Sequence, residues 1–247
     1  TGTVNYSGVP AGLPAAVGAR VASGNVSTEI KTPDTISLAL NSQLDQKWTL
    51  LGDITWTGWA KIQELKVVRD TGATLVHPFD DERVIAAQGT VALELLADVP
   101  GLDIVIAPCG GGGLLSGTAI ATKGAAPAVR VFGAEPANAD DATRSFASGR
   151  VEPLPAAVTI ADGLRTTLAP RTLAAIRAHV DAMGTCSEAA IVRAMRMVWE
   201  RMKIVIEPSG AVPLACLLEG GLDARGARAG IILSGGNVDL DRLPWQP

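Results

Sequence analysis

Residues 110–113 are four consecutive glycines, set between the apolar run Ile104-Val105-Ile106-Ala107 and a segment from Leu114 that reads as the start of a helix. Backbone without side chains can turn successive amide N–H groups toward one point, and a helix start adds the positive end of its dipole. An anion, and phosphate above all, suits such a loop, with Gly110, Gly111, Gly112, Gly113 and Leu114 as its candidate ligands. Four adjacent glycines also cost conformational entropy that an ordinary strand-to-helix turn does not require.

Motif spacing narrows the choice of phosphate. No Gly-Lys-Ser/Thr ends the loop, which argues against a nucleotide-triphosphate P-loop. A Gly-x-Gly-x-x-Gly register counted from Gly110 ends on Leu115, although Glu135 does stand about 20 residues further on, so a dinucleotide fold is only the runner-up. On residue types alone, Glu135 with Asp140 and Asp141 reads as a solvated loop capping a helix, and Glu207 as a cap on the helix after Pro208. Asp162-Gly163 and Ser234-Gly235-Gly236-Asn237 read as turns. His77 precedes Pro78 as a structural residue and His179 lies on a helix face; neither has a triad partner in the sequence.

The elements that must position these groups alternate strand and helix, which predicts an α/β fold: a mostly parallel twisted sheet with helices on both faces. Strands are predicted at 104–107, 129–133 and 230–233, and helices at 84–96, 187–202 and 210–218. In the second helix Ala190, Ile191, Ala194, Met195, Val198 and Met202 recur on one face, behind a capping signal at Thr185-Cys186-Ser187-Glu188. Ligands of such sheets collect at the carboxyl ends of the strands, where Gly110, Glu135 and Ser234 all fall.

The first 67 residues follow a different pattern. Residues 35–40 and 48–57 alternate with period two around Asp45-Gln46, with Trp48, Leu50, Ile54 and Trp56 on one face, which predicts a β-hairpin. Two parts are therefore expected: a β-hairpin segment of foreign character over 1–67 and an α/β cofactor-binding domain over 68–247. The net charge of −4 and the lack of a basic run give no reason to expect nucleic acid. Cys109, Cys186 and Cys216 lack metal spacing and an even count, and fit small buried residues of a reducing, cytoplasmic compartment. No run is apolar enough for a membrane-spanning helix, and the N-terminus shows neither initiator Met nor a signal-peptide pattern.

Seven segments carry a resemblance. His77-Pro78-Phe79-Asp80-Asp81, Gln88-Gly89-Thr90, the tetraglycine loop, Gly133-Ala134-Glu135-Pro136, Thr159-Ile160-Ala161-Asp162-Gly163, Glu207-Pro208-Ser209-Gly210-Ala211 and Ser234-Gly235-Gly236-Asn237 occur in that order. From about residue 68 the chain thereby resembles the C-terminal part of the pyridoxal-phosphate-dependent serine/threonine dehydratases and serine racemases, the fold-type-II group with a tryptophan-synthase-β-like fold. The resemblance implies pyridoxal 5'-phosphate as cofactor, a small amino-acid substrate, a homo-oligomer, and β-elimination from serine or threonine to a 2-oxo acid and ammonia. It also implies that Ser234 offers a neutral hydroxyl to the pyridine nitrogen, which suits elimination over transamination, and that Gly163 and Glu207 line the cofactor ring. Glu135-Pro136-Ala137-Asn138-Ala139-Asp140-Asp141 is similar to the racemases' cation stretch, implying Glu135, the Ala139 carbonyl and Asp141 as ligands of Mg2+ or Ca2+.

The family's N-terminal half supplies a Ser-Phe-Lys motif, whose lysine carries the cofactor and serves as base, and a Ser-Ser-Gly-Asn-His loop that grips the substrate carboxylate. Neither motif occurs in this chain; Ser23-Gly24-Asn25 copies three letters of the loop, but Val26 stands where the His belongs. Residues 8–65 instead resemble part of an outer-membrane fatty-acid transport barrel. The catalytic residues are thus unassigned from sequence. The alternatives to an incomplete dehydratase are a non-catalytic phosphate-ligand-binding remnant and a barrel fragment fused to it.

Overall fold

The strand that leads into the glycines, Ile104–Pro108, is buried at every residue, and its side chains divide between two cores. Ile104 and Ile106 pack with Phe132, Ile191, Met195 and Val212 on one face, whereas Val105 and Ala107 pack with Leu115, Val131 and Ile176 on the other. A strand covered on both faces must be apolar throughout, and Ile-Val-Ile-Ala is such a run. The computed structural model describes residues 76–154 and 156–246, together with the backbone of four strands within residues 2–55.

The chain divides into two compact units, Thr1–Leu75 and Val76–Pro247. In the first, β1 (Gly2–Asn5) pairs antiparallel with β2 (Ser27–Ile30), and β3 (Ser37–Gln43) with β4 (Thr49–Thr55). The second pair puts Leu38 opposite Ile54 and Leu40 opposite Gly52 and is the predicted hairpin. Its Asp45-Gln46 turn and the expected junction near Val67 lie outside the described residues.

In the second unit, helices α1 (Glu82–Gln88) and α2 (Thr90–Asp98) precede β5 (Ile104–Pro108), α3 (Gly113–Ala125), β6 (Arg130–Pro136) and α4 (Asp141–Ser148). A 3-10 turn over Asp162–Leu164 follows, then α5 (Pro170–His179), β7 (Ala182–Cys186), α6 (Glu188–Met202), α7 (Pro208–Glu219) and β8 (Ala229–Ile231). The sheet order is β7-β6-β5-β8, and every pair is parallel. Helices α6 and α7 cover the Ile104 face, and α3 and α5 the Val105 face. All four strands therefore end at one edge, where Glu135 lies near the end of β6 and the loops carrying Gly110 and Ser234 emerge.

Several elements differ from the sequence expectation: β6 runs on to Pro136 instead of 133, β8 covers Ala229–Ile231 instead of 230–233, and α7 spans Pro208–Glu219 instead of 210–218. The helix expected over 84–96 is two helices, because Gly89 serves as C-cap of α1 and N-cap of α2. A side chain at Gly89 would stand 2.9 Å from the carbonyl of Gly117, so the break sits where α3 approaches most closely. Helix α6 starts one residue late, with Ser187 as its cap accepting from the Ala190 N–H. Strand β7 was not predicted; its sequence Ala-Met-Gly-Thr-Cys has no apolar run, and it forms by pairing with β6 from Phe132 to Pro136.

Candidate active site

The tetraglycine loop is buried at all four residues, and its conformation is dictated by what presses against it. A Cβ on Gly111 would overlap the ring of Phe79, and one on Gly113 would lie 2.8 Å from the Phe79 Cβ. Gly112 has φ +89°, in the left-handed region, and a side chain there would also meet Leu168 at 2.7 Å and the Thr172 Cβ at 2.9 Å. Gly110 faces Leu164 and the carbonyl of Gly163 at about 3 Å. Only glycine fits these positions.

The N–H groups of this stretch are uncommitted. Cys109 N donates to Ala134 O, and Ser116 N donates to Gly112 O, but between them the amides of residues 110–115 donate to no acceptor among the described residues. Buried backbone donors without partners are rare, and a run of them at a helix start can receive an anion. Phosphate therefore fits the loop on an observation independent of any family: these amides need an acceptor.

The other expected cofactor residues converge on the same end of the sheet. Gly163 N donates to Ser209 Oγ at 3.1 Å, and a Cβ on Gly163 would lie 3.8 Å from Glu207 Oε1. Glu207 occupies the N-cap position of α7 without capping it through its side chain; Oε2 instead accepts from Asn237 N at 2.9 Å. The Glu207 N–H donates to the Gly235 carbonyl, and Ser234 packs its own carbonyl over Gly210 at the start of α7. Burial raises the Glu207 carboxyl above its ordinary range, against the lowering effect of the Asn237 bond, and Asp162 adds to the rise. Gly110, Gly163, Glu207 and Ser234, far apart in sequence, are thus brought to one end of the sheet, Gly163 standing against both Gly110 and Glu207, and Glu207 against Gly235. Ser209 and Asn237 join them as partners that sequence reasoning did not assign to the site.

Glu135 and Asp141 are both wholly buried. Glu135 reaches across to the start of α4, accepting from Ala142 N, Thr143 N and Thr143 Oγ1 at 2.6–3.1 Å, so it caps that helix. Both carboxylate oxygens of Asp141 have no hydrogen-bond partner among the described residues. Desolvation pushes Glu135 up to about 8 and Asp141 to about 6. A hard cation fits here because Asp141 is an orphaned buried carboxylate. Among the described residues no cluster of three acidic, His or Cys side chains could hold a metal, so backbone carbonyls such as that of buried Ala139, and water, would complete the shell.

The remaining candidates fall outside the chemistry. His77 accepts the Phe79 and Asp80 N–H groups on Nδ1 and turns its ring edge-on to Phe79, a structural role as expected. His179 is the last residue of α5. Lys123, in the last turn of α3, is held by Asp181 and the Val129 carbonyl. All three cysteines are buried and free.

A parallel sheet covered on both faces, with a glycine anion cradle at the carboxyl ends of its strands, defines an α/β protein built to hold a phosphate ester. Known proteins specify the ester: residues 11–235 match the pyridoxal-phosphate dependent enzymes, and the chain belongs to that family. It is 50% identical over 180 residues to a β-hydroxyaspartate dehydratase of Paracoccus denitrificans, covering 73% of this chain and 57% of that protein. The structure is similar to serine racemase of maize (TM-score 0.69, 45% identity, covering 71% of this chain and 55% of that one). It is also similar to a threonine deaminase of T.th. (TM-score 0.68, 47% identity, covering 71% and 64%). The chain spans a little over half the length of the first two proteins. The family match begins at residue 11 and so covers most of the stretch that the sequence pattern sets apart as foreign. Among the described residues no helix is long and apolar enough to cross a membrane.

Proposed function

We propose that residues 68–247 form the cofactor-binding part of a pyridoxal-phosphate-dependent lyase that eliminates water, and then ammonia, from serine or threonine. The observation that carries this reading is the run of acceptor-less amides at 110–115, at the same end of the sheet as Gly163, Glu207 and Ser234. The bound cofactor would supply an electron sink for charge developing at the substrate Cα. The chain's own contribution is positional. The glycine amides and the α3 dipole hold the phosphate, Gly163 leaves room for the ring, and Ser234 offers a neutral hydroxyl to the ring nitrogen. Glu207 holds the loop after β8 in register through Asn237. The similarity to a β-hydroxyaspartate dehydratase and to a threonine deaminase supports a substrate that carries nitrogen on Cα.

The proton transfer at Cα is not supplied by the residues placed here. No Ser-Phe-Lys motif occurs, and Lys123 is engaged by Asp181 at the far end of α3 from the glycines. On this reading a complementary half bearing that lysine completes the enzyme. Lys123's engagement equally favours a second reading, a non-catalytic binder of phosphate esters. One experiment separates the two: add pyridoxal phosphate to the purified chain, record the visible spectrum, reduce with borohydride and map any labelled lysine. A band that maps to a single lysine supports a competent enzyme; tight binding without a labelled lysine supports the binder; no binding overturns both.

A further inference from the structure

We infer that Thr172 is a positioning residue for the phosphate cradle, aiming the Gly112 amide at the anion while touching no ligand itself; this rests on the phosphate reading above. Thr172 lies in the first turn of α5, wholly buried, 61 residues beyond the loop it contacts. Its Oγ1 stands 2.9 Å from the Gly111 carbonyl oxygen and 3.0 Å from the Ala169 carbonyl. One hydroxyl proton cannot serve both fully. Ala169 O already accepts the Leu173 N–H, whereas Gly111 O has no other donor among the described residues. The proton therefore goes to Gly111, and the hydroxyl's lone pair accepts from Ala169 N at 3.0 Å.

The consequence follows from peptide geometry. In a trans peptide the C=O and the following N–H point in opposite directions, so pinning the Gly111 carbonyl toward α5 turns the Gly112 N–H away from α5. That amide is one of those without an acceptor in the buried loop. Glycine at 112 is conformationally free, and φ +89° is one of several states it could adopt. The hydroxyl fixes which state is taken. Thr172 is itself held by Ser116 Oγ, which donates to the Thr172 carbonyl at 3.3 Å and ties α5 to the helix that follows the loop. A cradle built from glycine needs such a brace, since each amide left free to rotate would have to be ordered when the ligand arrives.

The test compares Thr172→Val, which keeps the shape and loses the hydroxyl, with Thr172→Ser, which keeps the hydroxyl. Affinity is measured for pyridoxal 5'-phosphate and for pyridoxal. The proposal expects the Val variant to lose about tenfold in affinity for the phosphate ester, with pyridoxal unaffected and the Ser variant restored. Equal affinities of the Val variant and the unsubstituted chain for the phosphate ester would overturn the role of Thr172 and leave the cradle standing. An unsubstituted chain that binds the two compounds equally would remove the cradle, and this inference with it. Should the Val variant fail to fold, the amide spectrum of the unsubstituted chain titrated with inorganic phosphate decides. The Gly112 resonance must move, and movement of its neighbours without it would overturn the proposal.

Discussion

The ring of Phe79 lies directly on the Cα of Gly111, leaving no room for even a methyl group between them. The contact is not soft, because Gly113 packs against the Cα and Cβ of the same phenylalanine and His77 holds the Phe79 and Asp80 amides. Gly111→Ala should therefore destabilise the unit by about 1–3 kcal/mol through overpacking. Adding Phe79→Ala should recover part of that loss, so urea denaturation of the four proteins in a double-mutant cycle should show coupling. Strict additivity would mean the two residues do not meet in solution.

Gly111→Asp makes a sharper statement about chemistry. It drives a carboxylate into the space that the Phe79 ring fills, so the loop must shift and carries a negative charge beside the intended anion, and pyridoxal phosphate binding should be lost altogether. Unchanged affinity, measured by spectral titration on folded protein, would show that the phosphate lies elsewhere.

What the sequence disclosed of this site and what it hid have physical causes. The glycines and the Ser187 cap were legible because each is a local device, a spacing of residue types within a few positions, whereas the residue types of the Glu135–Asp141 stretch read as a solvated loop although Glu135 and Asp141 are wholly buried. Glu135 was half read: its residue type showed an acid after a strand, but its engagement with the Ala142 and Thr143 amides depends on where α4 begins. Thr172, Phe79, Ser209 and Asn237 were not assigned to the site because their roles are contacts across 30 to 61 residues, with no periodic signal. Strand β7 was missed for the same reason, since its register is imposed by β6 rather than by its own composition.

Asp141 supplies the next prediction. Two buried oxygens without partners are costly, and a divalent cation would satisfy them. Mg2+ or Ca2+ should raise the melting temperature, and a chelator should lower it. At a hundredfold excess over Kd the gain is about 2.7 kcal/mol. Asp141→Asn should abolish the response to the ions. If no ion at millimolar concentration shifts the transition of the unsubstituted chain, the pair is structural and Glu135 serves only as the cap of α4.

The thiols should be inert in the native chain. Burial raises Cys109 first, with Glu135 and Asp141 adding to it, and the Cys216 thiol is pushed up by its hydrogen bond to Cys186 and then by burial. At about pH 8.5, near the ordinary cysteine pKa, a thiol-reactive dye should label the described unit only in denaturant, where all three cysteines react. Prompt labelling of Cys109 in the native state would mean that the strand end beside the glycines opens readily.

Glu207 gives the pH dependence its sign. Its carboxyl is raised by burial above the ordinary value of 4.5, so the folded state binds the proton more tightly than the unfolded chain. The favourable contribution is complete below about 4.5, and it diminishes as pH rises from there through the raised folded value, where the buried group must ionise. Glu207→Gln carries no charge at any pH, keeps an oxygen for the Asn237 amide, and removes this term. Melting temperature plotted against pH should therefore fall less steeply above 4.5 in the Gln variant, with the two curves closest in acid. Glu207→Ala loses the Asn237 acceptor as well and should be less stable than Gln at every pH, by about 1 kcal/mol or more. Parallel curves for Glu207 and Gln would mean that the carboxylate is solvated in the folded state, and that the loop after β8 stands further from α7 than the 2.9 Å bond to Asn237 requires.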